Sequence, residues 1–496
     1  MATRTSMQKA ETVIKSKPTS DPNFHQPKTL DCNAKIQACP LAIESIIKNA
    51  SEPNPTVTIL CPDEQMYVFI PGKNWKLSLA ELITYLQTRK INFKVTDLSK
   101  PFFIIESRSI LDPKIVDNLG GTIKAGKVLS QMPSETVEDA FLHKKEHALA
   151  EIRSYLLSDH VFNNLFGKPL TKNVFGASIY FENPRFLHVS KKIQRFVGSC
   201  LKDELASQGT KARFMGFPQK RRLPQLTHVE VLKKGLAEQG KEILFCISKA
   251  QTFISKTASV HNPFEFQKRD ISRPVQRKIY SIPPRLAKIM INLSTCLPGE
   301  ALLDPFCGVG TILQEALLLK AQVTGIDIDP WCVNASRTNL QWLTNEYGLK
   351  EAKYTILSGD SRNLTDKVNR ETIDCIVTEP NLGPPLRHFP TDSYARRMAG
   401  KLKLLYHSFL KGAHEALRAE GTLVFVTPYV KTRSGNFITL DLEEEVKAIG
   451  FKKTYPFEKN VFADGSPLVK ELAITSSLVD VGKKHKIGRE INILQK

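Results

Sequence analysis

Four carboxylates stand at the ends of short apolar runs in the second half of the chain: Asp304, Asp327, Asp360 and Glu379. The first opens Asp304-Pro-Phe306-Cys-Gly308-Val-Gly310-Thr311, between the apolar run Glu300–Leu303 and the stretch Ile312–Leu319. These flanks predict a buried strand and an apolar helix. Gly308 and Gly310 let the backbone turn tightly and come close to a ligand that a Cβ would exclude. The helix N-terminus then presents unpaired N–H groups to that ligand. A second strand, Gln322–Ile326, ends in Asp327, the place in a βαβ unit where an acid accepts both hydroxyls of a ribose. Together these residues predict a nucleoside-cofactor site.

A dinucleotide site would carry Gly-x-Gly-x-x-Gly. Here the third glycine is absent, and an acid at the start of the turn suits a cationic, amine-bearing ligand better than a pyrophosphate. The third strand, Tyr354–Ser358, leads to Gly359-Asp360-Ser361. Asp360 can accept from an adenine amino group or simply cap the following turn. A fourth strand, Asp374–Thr378, ends in Glu379-Pro380-Asn381-Leu382-Gly-Pro-Pro385, and Thr422–Thr427 is a fifth. Asp329, before Pro330, reads as a helix N-cap rather than a ligand.

This order of segments resembles the class I S-adenosylmethionine-dependent methyltransferases that act on exocyclic amines. In detail it is similar to the tRNA guanine-10 N2-methyltransferase family, archaeal and eukaryotic, whose members carry an N-terminal THUMP region. Lys268–Pro274 with Ile282–Leu293 resembles the entry to that family's catalytic domain. Met66–Gly72 with Leu77–Leu82, and then Asp117–Lys124, resemble its N-terminal part. The resemblance covers roughly residues 57–496. It implies an α/β fold: a Rossmann-like class I methyltransferase domain preceded by α+β ferredoxin-like and THUMP-like domains. The expected divisions are a basic, weakly ordered extension (1–55), a ferredoxin-like domain (56–125), a THUMP-like RNA-binding region (126–262), a linker (263–283) and the methyltransferase domain (284–496).

The resemblance also implies roles. S-adenosylmethionine would be held by Asp304, Phe306, Gly308, Gly310, Thr311, Asp327, Asp360 and Ser361. Glu379, Pro380, Asn381 and Leu382 would meet the target base. A tRNA held by the THUMP-like region, and a small zinc-containing activator subunit, would be the partners. In the family's motif an acidic or amide side chain and a backbone carbonyl accept the two N–H bonds of the amine, and a fourth-position aromatic stacks on the base. This chain keeps the acceptor as Glu379 but places Leu382 where the ring belongs. Phe389, Tyr394 or His388 can supply a ring from the following segment, and Asn381 offers a second amide acceptor. The competing readings are an RNA-binding homologue that kept the cofactor fold without turnover, and a DNA amino-methyltransferase, which a THUMP-like half disfavours.

The bulk numbers fit a polyanionic partner. The 496 residues carry a formal charge of +20. Between Leu201 and Ile289 there are 18 Lys/Arg against 7 Asp/Glu, a density suited to phosphate contacts. Lys220, Arg221 and Arg222, and Lys268, Arg269 and Arg273, are the expected RNA-binding clusters. The nine cysteines are scattered without a Cys-x-x-Cys pair, so a reducing cytoplasm and no metal site are expected. No membrane span, secretory signal or DNA partner is expected. Along the chain, Glu138–Leu157 predicts one charged helix, 262–283 a Pro/Arg-bearing linker, and Val461–Ile474 a closing hairpin turning at Gly465-Ser466.

Overall fold

Apolar runs bounded by turn residues become the strands of two sheets. The computed structural model of the chain describes residues 64–167, 172–216, 221–239, 241–277, 281–463, 467–474, 477–482 and 485–496. The strand expected at Val57–Leu60, the helix expected at Leu41–Ile47, Lys220 and the Gly465-Ser466 turn lie outside the described residues.

The first sheet contains β1 (Gln65–Pro71), β2 (Phe93–Ser99), β3 (Phe102–Ser107), β4 (Thr122–Pro133), β5 (Lys172–Phe181), β6 (Lys211–Met215), β7 (Glu242–Ile247) and β8 (Gln251–Val260). Their order is β2-β3-β1-β4-β8-β7-β5-β6. Helix α1 (Trp75–Thr88) follows β1, and its Leu79, Leu82 and Leu86 pack on Phe69 and Phe103. The division expected at 125/126 falls inside β4, whose residues Lys124–Lys127 pair with β1 on one side and with β8 on the other. Both expected N-terminal domains therefore share one continuous sheet. The predicted helix Glu138–Leu157 is two helices, α2 (Ser134–Phe141) and α3 (Glu146–Leu157). Between them Lys144 takes φ 60°, a left-handed conformation that ends a right-handed helix. Helices α4 (Asp159–Phe166), α5 (Ser190–Ser207) and α6 (His228–Lys233) complete this half.

The first part of the expected linker is a helix. Asn262 caps α7 (Pro263–Ile271) by accepting from the Phe264 N–H at 3.0 Å, with Pro263 in the first turn, a strong start signal. Helix α8 (Pro284–Leu293) follows. The second sheet contains β9 (Ala301–Asp304), β10 (Gln322–Asp327), β11 (Tyr354–Ser358), β12 (Ile373–Thr378), β13 (Leu417–Lys431), β14 (Phe437–Ile438), β15 (Lys452–Lys453), β16 (Leu478–Asp480) and β17 (Ile487–Gln495). Its main path is β11-β10-β9-β12-β13-β17-β15. The five strands from β11 to β13 run parallel, and β17 enters antiparallel between β13 and β15. Helices α9 (Thr311–Leu318), α10 (Pro330–Glu346), α11 (Asp392–Ala416) and α12 (Glu443–Ile449) pack about it.

The closing hairpin expected at Val461–Ile474 is not formed. Pro467–Ile474 is helix α13, whose Leu472 joins Val95 and Phe462 in an apolar cluster, and the closing antiparallel pair is β16 with β17. One buried acid ties the halves together. Glu81 on α1 accepts from the N–H groups of Gly120 and Gly121 and from Asn292 Nδ2 on α8, each at 2.7 Å.

Candidate active site

Parallel strands leave a crevice outside their carboxyl ends, and in such sheets ligands bind there. The four predicted acids all sit at that edge, but they serve different purposes. Asp304 ends β9 with 1% of its surface exposed. It accepts from Thr378 Oγ1 at 2.6 Å and from the Phe306 N–H at 3.2 Å. Burial raises its pKa to about 7 against those two hydrogen bonds. It is a carboxyl poised to ionise when a cation arrives.

Asp327 ends β10 and shapes the glycine loop. Its Oδ2 accepts from the Gly308 N–H at 2.8 Å and its Oδ1 from the Asp329 N–H at 2.9 Å. Each oxygen keeps a further lone pair for a hydroxyl. Gly308 and Gly310 take φ of 54° and 83°, conformations open to glycine at little cost. A Cβ at Gly308 would meet nothing within 4 Å, so this stretch faces open space, whereas one at Gly310 would come 3.0 Å from Ser336 Oγ. The loop thus offers an open cradle on one side and close helix packing on the other. Asp329 caps α10 as predicted, accepting from the Trp331 N–H at 2.9 Å.

Two cofactor expectations are placed differently. Asp360 accepts from the backbone N–H of Arg362 at 2.9 Å and pairs with its guanidinium, capping the short turn of helix Ser361–Asp366. Neither Asp360 nor Ser361 lines the cleft. Thr311 does line its inner end, but Thr311 Oγ1 already accepts from Arg273 Nη1 at 2.6 Å.

The cleft encloses about 710 Å³ and is bordered by Phe306, Gly308, Asp327, the turn Glu379–Pro385 and the first turns of α11. A small recess of about 40 Å³ continues from it past Arg277, Ser281, Asp304 and Thr311. Glu379 borders both spaces. Its carboxylate is held from β17: Arg489 Nε donates to Oε2 at 2.5 Å and Nη2 to Oε1 at 3.1 Å. Asn381 Oδ1 accepts from the Gly383 N–H at 2.8 Å, and the Asn381 carbonyl accepts from the buried Tyr406 hydroxyl at 3.2 Å. Leu382 packs on the main apolar core. Gly383 has φ 100°, and a Cβ there would lie 2.8 Å from Met398 Sδ, so this turn is bound closely to α11. Of the three candidate rings, Tyr394 borders the cleft. Phe389 and His388 line a separate depression with Arg433 and Lys486.

The expected RNA-binding clusters are mostly committed elsewhere. Arg269 is 4% exposed and forks onto Glu315, with Nε 2.5 Å from Oε1 and Nη2 3.3 Å from Oε2. Arg273 is 3% exposed and donates to Thr311 and to Ser281. Both are removed from phosphate contact by burial, because α7 folds back onto α9 and α10. Lys268 pairs with Glu346. Arg221 grips Glu230 at 2.8 and 3.1 Å within the capping box of α6. Arg222 is exposed. Sequence reasoning missed Arg489 and Thr378, each brought in from a distant segment. Their signal lies only in the strand order. Cys296, Glu300 and Cys375, also unanticipated as a group, bring three potential ligand atoms within 4.8 Å of one another near the starts of β9 and β12.

A sheet numbered 3-2-1-4-5-7-6 from β9 with its seventh strand reversed, a glycine loop after the first strand and an acid at the end of the second define a class I methyltransferase fold. The family model for the UPF0020 RMKL-like methyltransferase domain matches residues 273–437. A probable tRNA (guanine(10)-N2)-dimethyltransferase of Methanothermococcus thermolithotrophicus is 30% identical over 162 residues, 32% of this chain and 85% of that protein. The tRNA (guanine(10)-N2)-dimethyltransferase of Methanothermobacter thermautotrophicus is 35% identical over 161 residues, 32% of this chain. The chain belongs to the tRNA guanine-10 N2-methyltransferase family. It spans only 43% of the Methanothermobacter relative and 51% of the corresponding Pyrococcus abyssi protein. The crystal structure of TrmN from Thermus thermophilus is similar at 18% identity and a TM-score of 0.47, covering 87% of this chain and 99% of that one.

Proposed function

We propose that the chain is an S-adenosylmethionine-dependent methyltransferase acting on the exocyclic N2 amine of a guanosine in tRNA. The observation that carries this reading is the position of Glu379: one side chain borders both the recess beside Asp304 and the larger cleft. A methyl donor and an acceptor amine can therefore meet there. The residues fit the cofactor. Asp304, buried and near neutrality, suits its ammonium, Asp327 suits its ribose hydroxyls, and the open side of Gly308 admits its body.

When bound, the cofactor would supply a methyl group on a sulfonium for the amine nitrogen, with the electron pair of the broken carbon–sulfur bond left on sulfur. The chain's own task is alignment, which alone provides much of the acceleration for two held reactants. Glu379 and the Pro380 carbonyl accept the amine's N–H bonds and turn its lone pair toward the methyl. The surplus proton leaves the alkylated nitrogen for water. The expected THUMP-like region would hold the tRNA, and a small zinc-containing activator subunit completes some enzymes of the resembled kind. No described helix is long and apolar enough to cross a membrane, and a cytoplasmic site of action is proposed with the substrate.

The test is methyl transfer from labelled S-adenosylmethionine to unmodified tRNA, followed by nucleoside analysis. N2-methylguanosine is the expected product. Absence of transfer, with and without activator, despite cofactor and tRNA binding would overturn the reading. It would favour the second one, an RNA-binding homologue without turnover, which the ion-paired state of Glu379 motivates. Competition by tRNA but not by duplex DNA separates both from a DNA amino-methyltransferase.

A further inference from the structure

Helix α11 enters the cleft at its N-terminal end. Tyr394, Arg397, Met398 and Lys401 all border the cleft, and their spacing of i, i+3, i+4 and i+7 puts them on one helix face. Met398 is buried beneath Gly383 and so fixes this face against the Glu379–Pro385 turn. Tyr394 keeps 40% of its surface exposed, and Arg397 and Lys401 are exposed.

These side chains differ from the committed cations described above. Arg221, Lys268, Arg269, Arg273 and Arg489 each engage an acid or a hydroxyl. Arg397 and Lys401 have no ion pair or side-chain hydrogen bond among the described residues, although acids line the same cleft. The ring of Tyr394 likewise makes no aromatic contact among the described residues. Its backbone, in contrast, is fixed. Thr391 Oγ1 caps the helix through the Tyr394 N–H at 3.3 Å, and Asp392 accepts from Ser434 Oγ and Asn436 Nδ2 at 2.6 and 2.7 Å. A rigid helix end thus presents a free ring and two free cations, about 6 Å apart along the axis, beside a turn that lacks its family's ring.

We propose that this face of α11 is the seat of the nucleotide strand carrying the acceptor base. Tyr394 stacks on the base in place of the aromatic that Leu382 replaces, and Arg397 and Lys401 bind the phosphates flanking it. This inference rests on the proposed RNA-directed activity and assigns its recognition to residues outside the acidic-Pro turn. Phe389 and His388 cannot share the role, since they lie in the other depression, where Lys431 Nζ stands 5.7 Å from the Phe389 ring.

The experiment compares the full chain with Tyr394→Ala, Tyr394→Phe and Arg397→Ser/Lys401→Ser. It measures methyl transfer to unmodified tRNA, tRNA affinity across a salt series, and S-adenosylmethionine affinity by calorimetry. Tyr394→Ala should lower kcat/KM for tRNA about ten-fold or more, as loss of a base–aromatic stack does, and Tyr394→Phe should recover most of that loss. The double variant should reduce the slope of log affinity against log salt by about 1.5. Cofactor affinity should stay constant and so report an intact fold. Unchanged kcat/KM in Tyr394→Ala together with an unchanged salt slope in the double variant would overturn the inference while leaving the activity standing. If the wild-type chain transfers no methyl group, the activity reading fails by itself. The salt slope for RNA binding then decides this face: a fall supports it and no change overturns it.

Discussion

Glu379 and Arg489 are 110 residues apart in sequence and meet in a two-point fork at the mouth of the cleft, with Nε 2.5 Å from Oε2 and Nη2 3.1 Å from Oε1. Only 16% of the arginine and 11% of the glutamate side chain are exposed. A planar fork fixes a carboxylate's orientation in a way a lysine cannot. Each oxygen still has a lone pair for an amine N–H. Arg489→Met should lower kcat for methyl transfer at least about ten-fold with little change in KM for tRNA. It should also cost about 3 kcal/mol of stability, because the acid is left buried and unpaired. Arg489→Lys should restore stability more fully than kcat. Equal recovery of both would reduce the arginine to a structural counter-charge.

The proposed role of Asp304 predicts that cofactor binding depends on pH. Its carboxyl titrates at about 7 because it is buried, and a cationic ligand binds its ionised form. Below pH 7 the free protein must first lose that proton, so affinity should fall by up to about ten-fold per pH unit as pH drops and level off above 7. Calorimetry at pH 6, 7 and 8 measures this. Asp304→Asn should bind weakly and flatten the profile. A profile that is flat in the unaltered chain would mean the ammonium sits elsewhere.

The two hydrogen bonds that Asp327 accepts from Gly308 and Asp329 make it a loop pin, and the proposed cofactor would add its ribose hydroxyls to the same carboxylate. Asp327→Ala should weaken S-adenosylmethionine binding about ten-fold or more and leave tRNA affinity nearly unchanged. Parallel loss of both affinities would count against the assignment.

Leu382 sits where a stacking ring is expected, packed partly against the core. Leu382→Tyr should raise kcat/KM for tRNA several-fold, and most clearly in the Tyr394→Ala background. No gain in either background, with cofactor affinity intact, would mean that the base is held without a ring at this turn.

Arg269 gives the opposite expectation to an RNA ligand. It is buried on Glu315, with Lys288 Nζ also 3.5 Å from that acid. Arg269→Ala should destabilise the fold by about 3 kcal/mol, seen as a lower Tm, without altering the salt dependence of tRNA binding.

The placement of Asp304 and Asp327 at strand ends around a glycine turn was legible because both acids directly follow apolar runs. The runs before Asp304 and Asp327 are apolar enough to be strands in any environment, and Gly308 and Gly310 announce the turn between them. Asp360 sits in an equivalent position yet serves as a cap, since Arg362 two residues later takes its carboxylate. Position at a strand end does not reveal a competing local partner. The basic clusters misled for a related reason: charge count carries no information on burial, and Arg269 and Arg273 turn inward with α7. The start signal of that helix, Asn262 with Pro263, was present but read as linker composition. Arg489 had no local signal at all, because its meeting with Glu379 follows only from β17 lying beside β13.

That insertion of β17 has a consequence for how the protein comes into being. The strands bearing Asp304, Asp327 and Glu379 leave the ribosome well before the strand bearing Arg489. During synthesis the glycine loop can therefore close around its carboxylates while Glu379 still lacks its counter-ion. Cofactor affinity should emerge in nascent chains earlier than transfer competence. By the proposed roles, a chain lacking β17 and its Arg489 should keep more of its affinity for the donor than of its transfer activity.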